Sequence, residues 1–232
     1  LPLVAENTES LLKQATYLVS LKPDIIEWRA DSFNNIDDSQ YIINVLNKLR
    51  KAIGDIPLLF TCRCIWEGGF KEITQTTRMN IIIEILKTGL TDIVDYEISN
   101  GVELVNEIKM AVLKYNAKLI LSYHNFDRTP EEYNIINKLR EACTMGADIA
   151  KLVVMPKNYY DILTLLGATL KAREMFVDIP LITSSLGELG VITRIGGGIF
   201  GSDVTFAIGK ESSGPGQIPV KDLRNAWRIL SL

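Results

Sequence analysis

Short apolar or β-branched runs alternate with longer stretches of helical periodicity along the whole chain, and this alternation constrains the fold more than any other feature. The runs at 1–5, 24–29, 57–63, 92–97, 118–124, 148–154, 179–184 and 204–208 each predict a strand. Helices are predicted at 8–20, 39–53, 76–88, 102–115, 130–145, 159–176 and 220–232, with a shorter Gly-rich piece at 188–195. Helix punctuation agrees. Thr129-Pro130-Glu131-Glu132 reads as an N-cap, a proline at the first helical position and a capping-box Glu. Gly89 and Gly146 stand where two helices should stop. The unit is ~30 residues long and recurs about eight times without a Pro/Gly/Ser-rich linker, so an α/β fold, a single (β/α)8 TIM barrel over 1–232, is expected. An open doubly wound sheet is the competitor, but Ala5-Glu6-Asn7 stands where its G-x-G-x-x-G turn would be.

Composition narrows the function classes. With 232 residues, 47% hydrophobic and 23% charged, the chain is neither disordered, collagen-like nor a coiled coil. No apolar run approaches a membrane span, so no membrane role is expected. No basic-then-apolar leader opens the chain, which begins at Leu1 rather than Met, and a cytoplasmic protein is expected. Net charge is −3 with scattered Lys and Arg, which argues against a nucleic-acid partner. Cys62 and Cys64 are spaced C-x-C and Cys143 is remote, a pattern of reduced thiols. With one His, a structural zinc site lacks ligands, and no metal is expected.

The informative feature is where charges fall. In a parallel barrel the C-terminal strand ends face the active site, and residues two apart share a face. The second strand ends with Glu27 and Arg29, and the third with Arg63, followed by Glu67 in the next loop. The fourth carries Asp95 and Glu97, the fifth ends at His124, and the sixth holds Lys151 in an apolar run. Buried charges cost several kcal/mol unless paired, so five consecutive strands ending this way read as a site, with a lining network of salt bridges as the alternative. Desolvation would lower the pKa of Lys151, and a neutral amine can attack a ketone to form a Schiff base. The alternative is a Lys that only pairs with Asp95 or Glu97. His124, one strand away, suits general acid/base work, with Glu67 able to orient its imidazole. Arg29, Arg63 and Arg194 suit a small anionic substrate. Asp95 and Glu97 could hold magnesium, but a structural or Lys-pairing role is the stronger reading. Gly196-Gly197-Gly198 is a weak phosphate signal. The polar stretch 209–217 is long enough to act as a lid, with Ser213 and Gln217 its best hydrogen-bonding groups.

These residues occur in a recognisable set: DIIEWRAD, PLLFTCRCIWEGG, DIVDYEI, ILSYHNFDRTP, GADIAKLVVMP, GVITR, FGSDVTFA and SSGPGQIPV. In combination and in this order, they resemble the type I 3-dehydroquinate dehydratases of the shikimate pathway over nearly the whole chain. The resemblance implies a hydro-lyase without a cofactor. Lys151 matches the Schiff-base lysine, His124 the general acid/base, and Glu67 the carboxylate supporting it. Glu27, Arg29 and Arg63 match substrate-binding positions, Arg194 the carboxylate-binding arginine, and Ser213 and Gln217 the lid residues. It also implies a homodimer, and it argues against a phosphate role for the glycines. Leu186 stands where Met is common, and Gly214 where Ala is common. Two other readings keep Lys151 or the fold: a class I aldolase acting on a keto acid or keto sugar, and a non-catalytic barrel that binds a small anion.

Overall fold

A computed structural model describes residues 1–231; Leu232, the last residue of the expected final helix, lies outside the described residues. The chain divides into two compact units, 1–119 with 209–213 and 120–208 with 214–232.

In the first unit, strands and helices alternate: β1 (Pro2–Leu3), α1 (Thr8–Ser20), β2 (Ile26–Arg29), α2 (Ser39–Ile53), β3 (Leu58–Thr61), α3 (Gln75–Lys87), β4 (Ile93–Glu97) and α4 (Val102–Lys114). Each strand pairs in parallel with the next. Side-chain caps explain why three of these helices start where they do. Asn7, Asp38 and Thr74 accept from the backbone N–H groups of Ser10, Tyr41 and Thr77, which would otherwise lack partners. Gly89 follows α3 at φ +65, a conformation open to glycine and strained for other residues.

β5 (Lys118–Asn125) begins in the first unit and continues in the second. The second unit then holds α5 (Glu132–Met145), β6 (Ile149–Val154), α6 (Tyr159–Met175), β7 (Leu181–Ser185), α7 (Val191–Gly196) and α8 (Val220–Leu230). β5, β6 and β7 are parallel neighbours. Gly146 ends α5 in the left-handed conformation, as expected. Trp227 on α8 donates to the Ile195 carbonyl at 3.0 Å, joining α8 to α7. No helix among the described residues is long and apolar enough to cross a membrane.

Two expectations are corrected. α5 starts at Glu132 with Glu131 as its cap residue and no side-chain cap. The Thr129 hydroxyl, expected to cap, donates instead to the Met155 carbonyl at 3.1 Å. An eighth strand at 204–208 does not form; the segment makes only one isolated bridge, Ile208 to Pro219. Side chains occupy the ladder positions there. The β7 amides of Leu181 and Thr183 donate to Asp203 Oδ2 at 2.7 Å and Ser202 Oγ at 3.0 Å, leaving them no backbone partner to take.

Candidate active site

Register builds the polar face of the first unit. Arg29 pairs with Thr61, and Thr61 with Asp95. Side chains alternate along strands, so Glu27 and Arg29 share a face with Thr61, Asp95 and Glu97, and Arg63 follows two residues beyond Thr61. The opposite face is apolar. Trp28 sits there fully buried, edge-on to Phe33 and Phe60 at 5.7 and 5.5 Å.

Every charge on the polar face is answered. Glu27 Oε1 accepts from Thr61 Oγ1 at 2.9 Å. Arg29 grips Asp31 with two parallel bonds, Nε to Oδ1 at 3.0 Å and Nη2 to Oδ2 at 2.9 Å. Burial opposes the charge of Arg29, but Asp31 outweighs it and raises the guanidinium pKa above its ordinary value. Arg63 pairs with Asp95 at 2.6 Å and Glu97 at 3.0 Å, and these carboxylates likewise outweigh burial. Glu97 also accepts from Arg78.

The W-E-G-G loop places Glu67. Residues Ile65–Glu67 form a 3-10 turn, closed by Gly69 N–H donating to the Cys64 carbonyl at 2.9 Å. A Cβ at Gly69 would lie 2.4 Å from the Arg63 carbonyl, so only glycine fits without moving the backbone. Asp31 accepts from Phe70 N–H at 3.0 Å, and Arg29 donates to the Gly68 carbonyl at 3.0 Å, which pins the loop to β2. Glu67, 4% exposed, accepts from the Ser99 hydroxyl. Ser213, from the segment expected to be a lid, offers its carbonyl to Arg29 Nη1 at 3.5 Å. Burial pushes the Cys62 and Cys64 thiols up to about 12, so neither is a nucleophile at neutral pH.

The second unit holds Lys151 and His124. Ser122 pairs with Lys151 and His124 with Val153. His124 and Lys151 therefore share one face as diagonal neighbours, about 8 Å apart between Cα atoms by strand rise and spacing. Lys151 is 6% exposed, and its Nζ lies 4.8 Å from the centre of the Phe206 ring. Arg194, on α7, is also buried and reaches the backbone of the same residue. Its Nη1 is 3.5 Å from the Phe206 carbonyl, and its Nη2 is 3.3 Å from the Pro215 carbonyl. Its Nε has no hydrogen-bond partner, and it makes no ion pair among the described residues. Burial therefore pulls the Arg194 pKa down to about 10. A buried cation with carbonyls but no carboxylate around it suits an incoming anion.

Gln217 is half-buried beside Gly216. Gly216 adopts φ +76, and a Cβ there would lie 2.2 Å from the Gly187 carbonyl, so two backbones meet at that point. Gly196 ends α7 and Gly197–Phe200 forms a 3-10 turn, a helical extension rather than an open loop.

Expected site residues thus fall as Glu27, Arg29, Arg63, Glu67 and Ser213 in the first unit, and His124, Lys151, Arg194 and Gln217 in the second. Asp31, Arg78, Ser99 and Phe206 were not anticipated as partners. Arg78 carried a readable signal: it stands four before Ile82 and seven before Ile85, on the core-facing stripe of α3.

The sequence model of the family described as Type I 3-dehydroquinase matches residues 1–232. A 3-dehydroquinate dehydratase of Geobacillus thermodenitrificans is 43% identical over 99% of this chain and 89% of its own length. The crystal structure of 3-dehydroquinate dehydratase from Geobacillus kaustophilus superposes with a TM-score of 0.97 at 42% identity, covering 99% of this chain and 89% of that one. The type I 3-dehydroquinate dehydratase of Clostridium difficile, solved with covalently modified comenic acid, gives 0.96 at 40% identity over 99% of this chain and 90% of that one. Likeness of this extent covers both units and carries the α/β fold with it. The chain belongs to the type I 3-dehydroquinase family.

Proposed function

We propose that this protein dehydrates 3-dehydroquinate to 3-dehydroshikimate, a step of the shikimate pathway, through a Schiff base on Lys151. The observation that carries this reading is the meeting of Lys151 and Arg194 on Phe206, with His124 diagonal to Lys151 on the same sheet face. An amine for a ketone, a guanidinium for a carboxylate and an imidazole for proton transfer are what a cyclic keto acid requires.

In this mechanism the Lys151 amine attacks the C3 ketone, and loss of water leaves a protonated imine. The imine draws electrons from C2, so the adjacent proton becomes acidic. His124, or a group it relays through, removes that proton, and the electron pair forms an enamine. The enamine re-forms the imine as the C1–O bond breaks, and His124 returns a proton to the departing hydroxyl. A second water then frees the product and restores the amine. Glu67 orients His124. Arg194 holds the substrate carboxylate, Glu27, Arg29 and Arg63 its hydroxyls, and Ser213 and Gln217 close over it. Carbon, oxygen and electrons balance with no external reagent.

The proposal includes a single (β/α)8 catalytic domain over 1–232, a homodimer and a cytoplasmic location; light scattering after gel filtration tests the dimer. The chemistry is tested by incubating the protein with 3-dehydroquinate and borohydride, which reduces an imine to a stable amine. Peptide mapping should place one adduct on Lys151. Folded protein that gives no adduct would overturn the covalent route.

Arg194 gives a second test. Arg194→Leu should raise KM about 10- to 100-fold, as expected for losing charge-assisted hydrogen bonds to a carboxylate. Its Tm should stay level or rise, because a buried cation without an ion pair is itself costly. Steady-state kinetics and thermal melts on one preparation check both halves.

A further inference from the structure

Asp95 and Glu97 present two buried carboxylates from one strand to the single guanidinium of Arg63. Glu97 shares that guanidinium with Asp95, and a buried carboxylate without a cation of its own tends to take up a proton. A protonated Glu97 would be a weaker acceptor for Arg63.

Arg78 brings Glu97 that cation from α3. Its side chain has no exposed surface. Its Nη2 donates to Glu97 Oε2, while Arg63 Nη1 holds Oε1 at 3.0 Å. Its Nε donates to the Cys62 carbonyl at 2.9 Å, on the residue just before Arg63. On the other side of Arg63, Cys64 N–H donates to Glu97 Oε1 at 3.0 Å. Asn100 completes Glu97 Oε2 at 2.9 Å. The backbone on both sides of Arg63 and the carboxylate that aims its guanidinium are thus tied into one cluster.

We propose that Arg78 is a positioning residue for this enzyme: by clamping Glu97 and the Cys62 carbonyl, it fixes the direction in which Arg63 meets substrate. The proposal rests on the reading of Arg63 as a substrate-binding group. Having no surface to offer a substrate, Arg78 acts only through Arg63. The competing role is a packing strut that joins α3 to β4.

The two roles separate in a double-mutant cycle on the full chain, with 3-dehydroquinate as substrate. Arg78→Lys keeps the charge, but one ammonium cannot reproduce both directed bonds. It should fold with a Tm near that of the parent and raise KM by roughly tenfold or more, as small misplacements of binding groups do. In an Arg63→Met background, the same change should move KM by less than about twofold, since nothing remains to position. An equal KM effect in both backgrounds, or a lowered Tm with KM unchanged, makes Arg78 a strut and overturns the proposal. If Arg63→Met itself leaves KM and kcat unaltered, the reading of Arg63 fails and the proposal with it. That pattern is distinct from a normal Arg63 effect with an independent Arg78 effect.

Discussion

Lys151→Ala should lower kcat by about four to six orders of magnitude, the range seen when a covalent nucleophile is removed. The loss should appear in the ultraviolet absorbance of the conjugated product, with circular dichroism and urea unfolding close to the parent. The site predicts this combination. Lys151 lies among apolar strand residues on β6, with its Nζ over the Phe206 ring, and Ala is tolerated in such a strand. A lysine serving only as an ion-pair partner would behave in the opposite way, with lost stability and a residual kcat. A fall in kcat smaller than about a hundredfold would sink the covalent assignment, because general acid/base and binding groups alone deliver changes of that size.

Glu97→Ala should cost about 3–5 kcal/mol of folding stability, the range for removing one partner of a buried ion pair. Glu97 has no exposed surface and receives four donors: Arg63, Arg78, Cys64 N–H and Asn100. Removing it takes from the buried Arg78 guanidinium its carboxylate and from Arg63 one of two. The urea midpoint should drop sharply; a change below about 1 kcal/mol, the scale of a surface pair, would mean the cluster is solvated in solution. The same carboxylate makes stability depend on pH. Burial works to raise its pKa, but Arg63 and Arg78 prevail and hold it below the ordinary 4.5. A depressed carboxyl pKa stabilises the fold above the unfolded value, and this contribution drains away as pH falls from 4.5 through the lower folded value. Glu97→Gln lacks that contribution. The stability gap between parent and Glu97→Gln should therefore be widest above pH 4.5 and close below it.

Much of this was legible before any coordinates. Helical periodicity located α1 and α2 to the residue, because an Asn or Asp cap and a clear apolar stripe mark each start. Strand alternation placed Glu27 with Arg29 on one face of β2, and Asp95 with Glu97 on one face of β4, since a period of two leaves little freedom once one residue is assigned. Illegible features depended on side chains that do the work of backbone. Ser202 and Asp203 satisfy β7 amides that an eighth strand would have taken, so the run at 204–208 forms no continuous ladder with β7. Thr129 prefers a carbonyl brought near by the fold to its own helix terminus. Arg78 is hard to read because a charge on a helix is usually solvated, although its spacing to Ile82 and Ile85 puts it on the core-facing stripe. Pairing of charges across strands needs register, which periodicity alone does not supply.

The contact between Gly187 and Gly216 also limits how this enzyme can drift. Both positions hold positive φ, and the carbonyl of one occupies the space where the other would grow a side chain. A substitution at 216 cannot be rescued by trimming its neighbour, which is already glycine. In a directed-evolution library over residues 209–217, diversity will survive at exposed Lys210, Glu211 and Ser212, while 216 returns as glycine in every active clone. A loop transplanted from a relative will graft only where it brings glycine at 216, because the obstacle is the backbone of 187, which no substitution there removes.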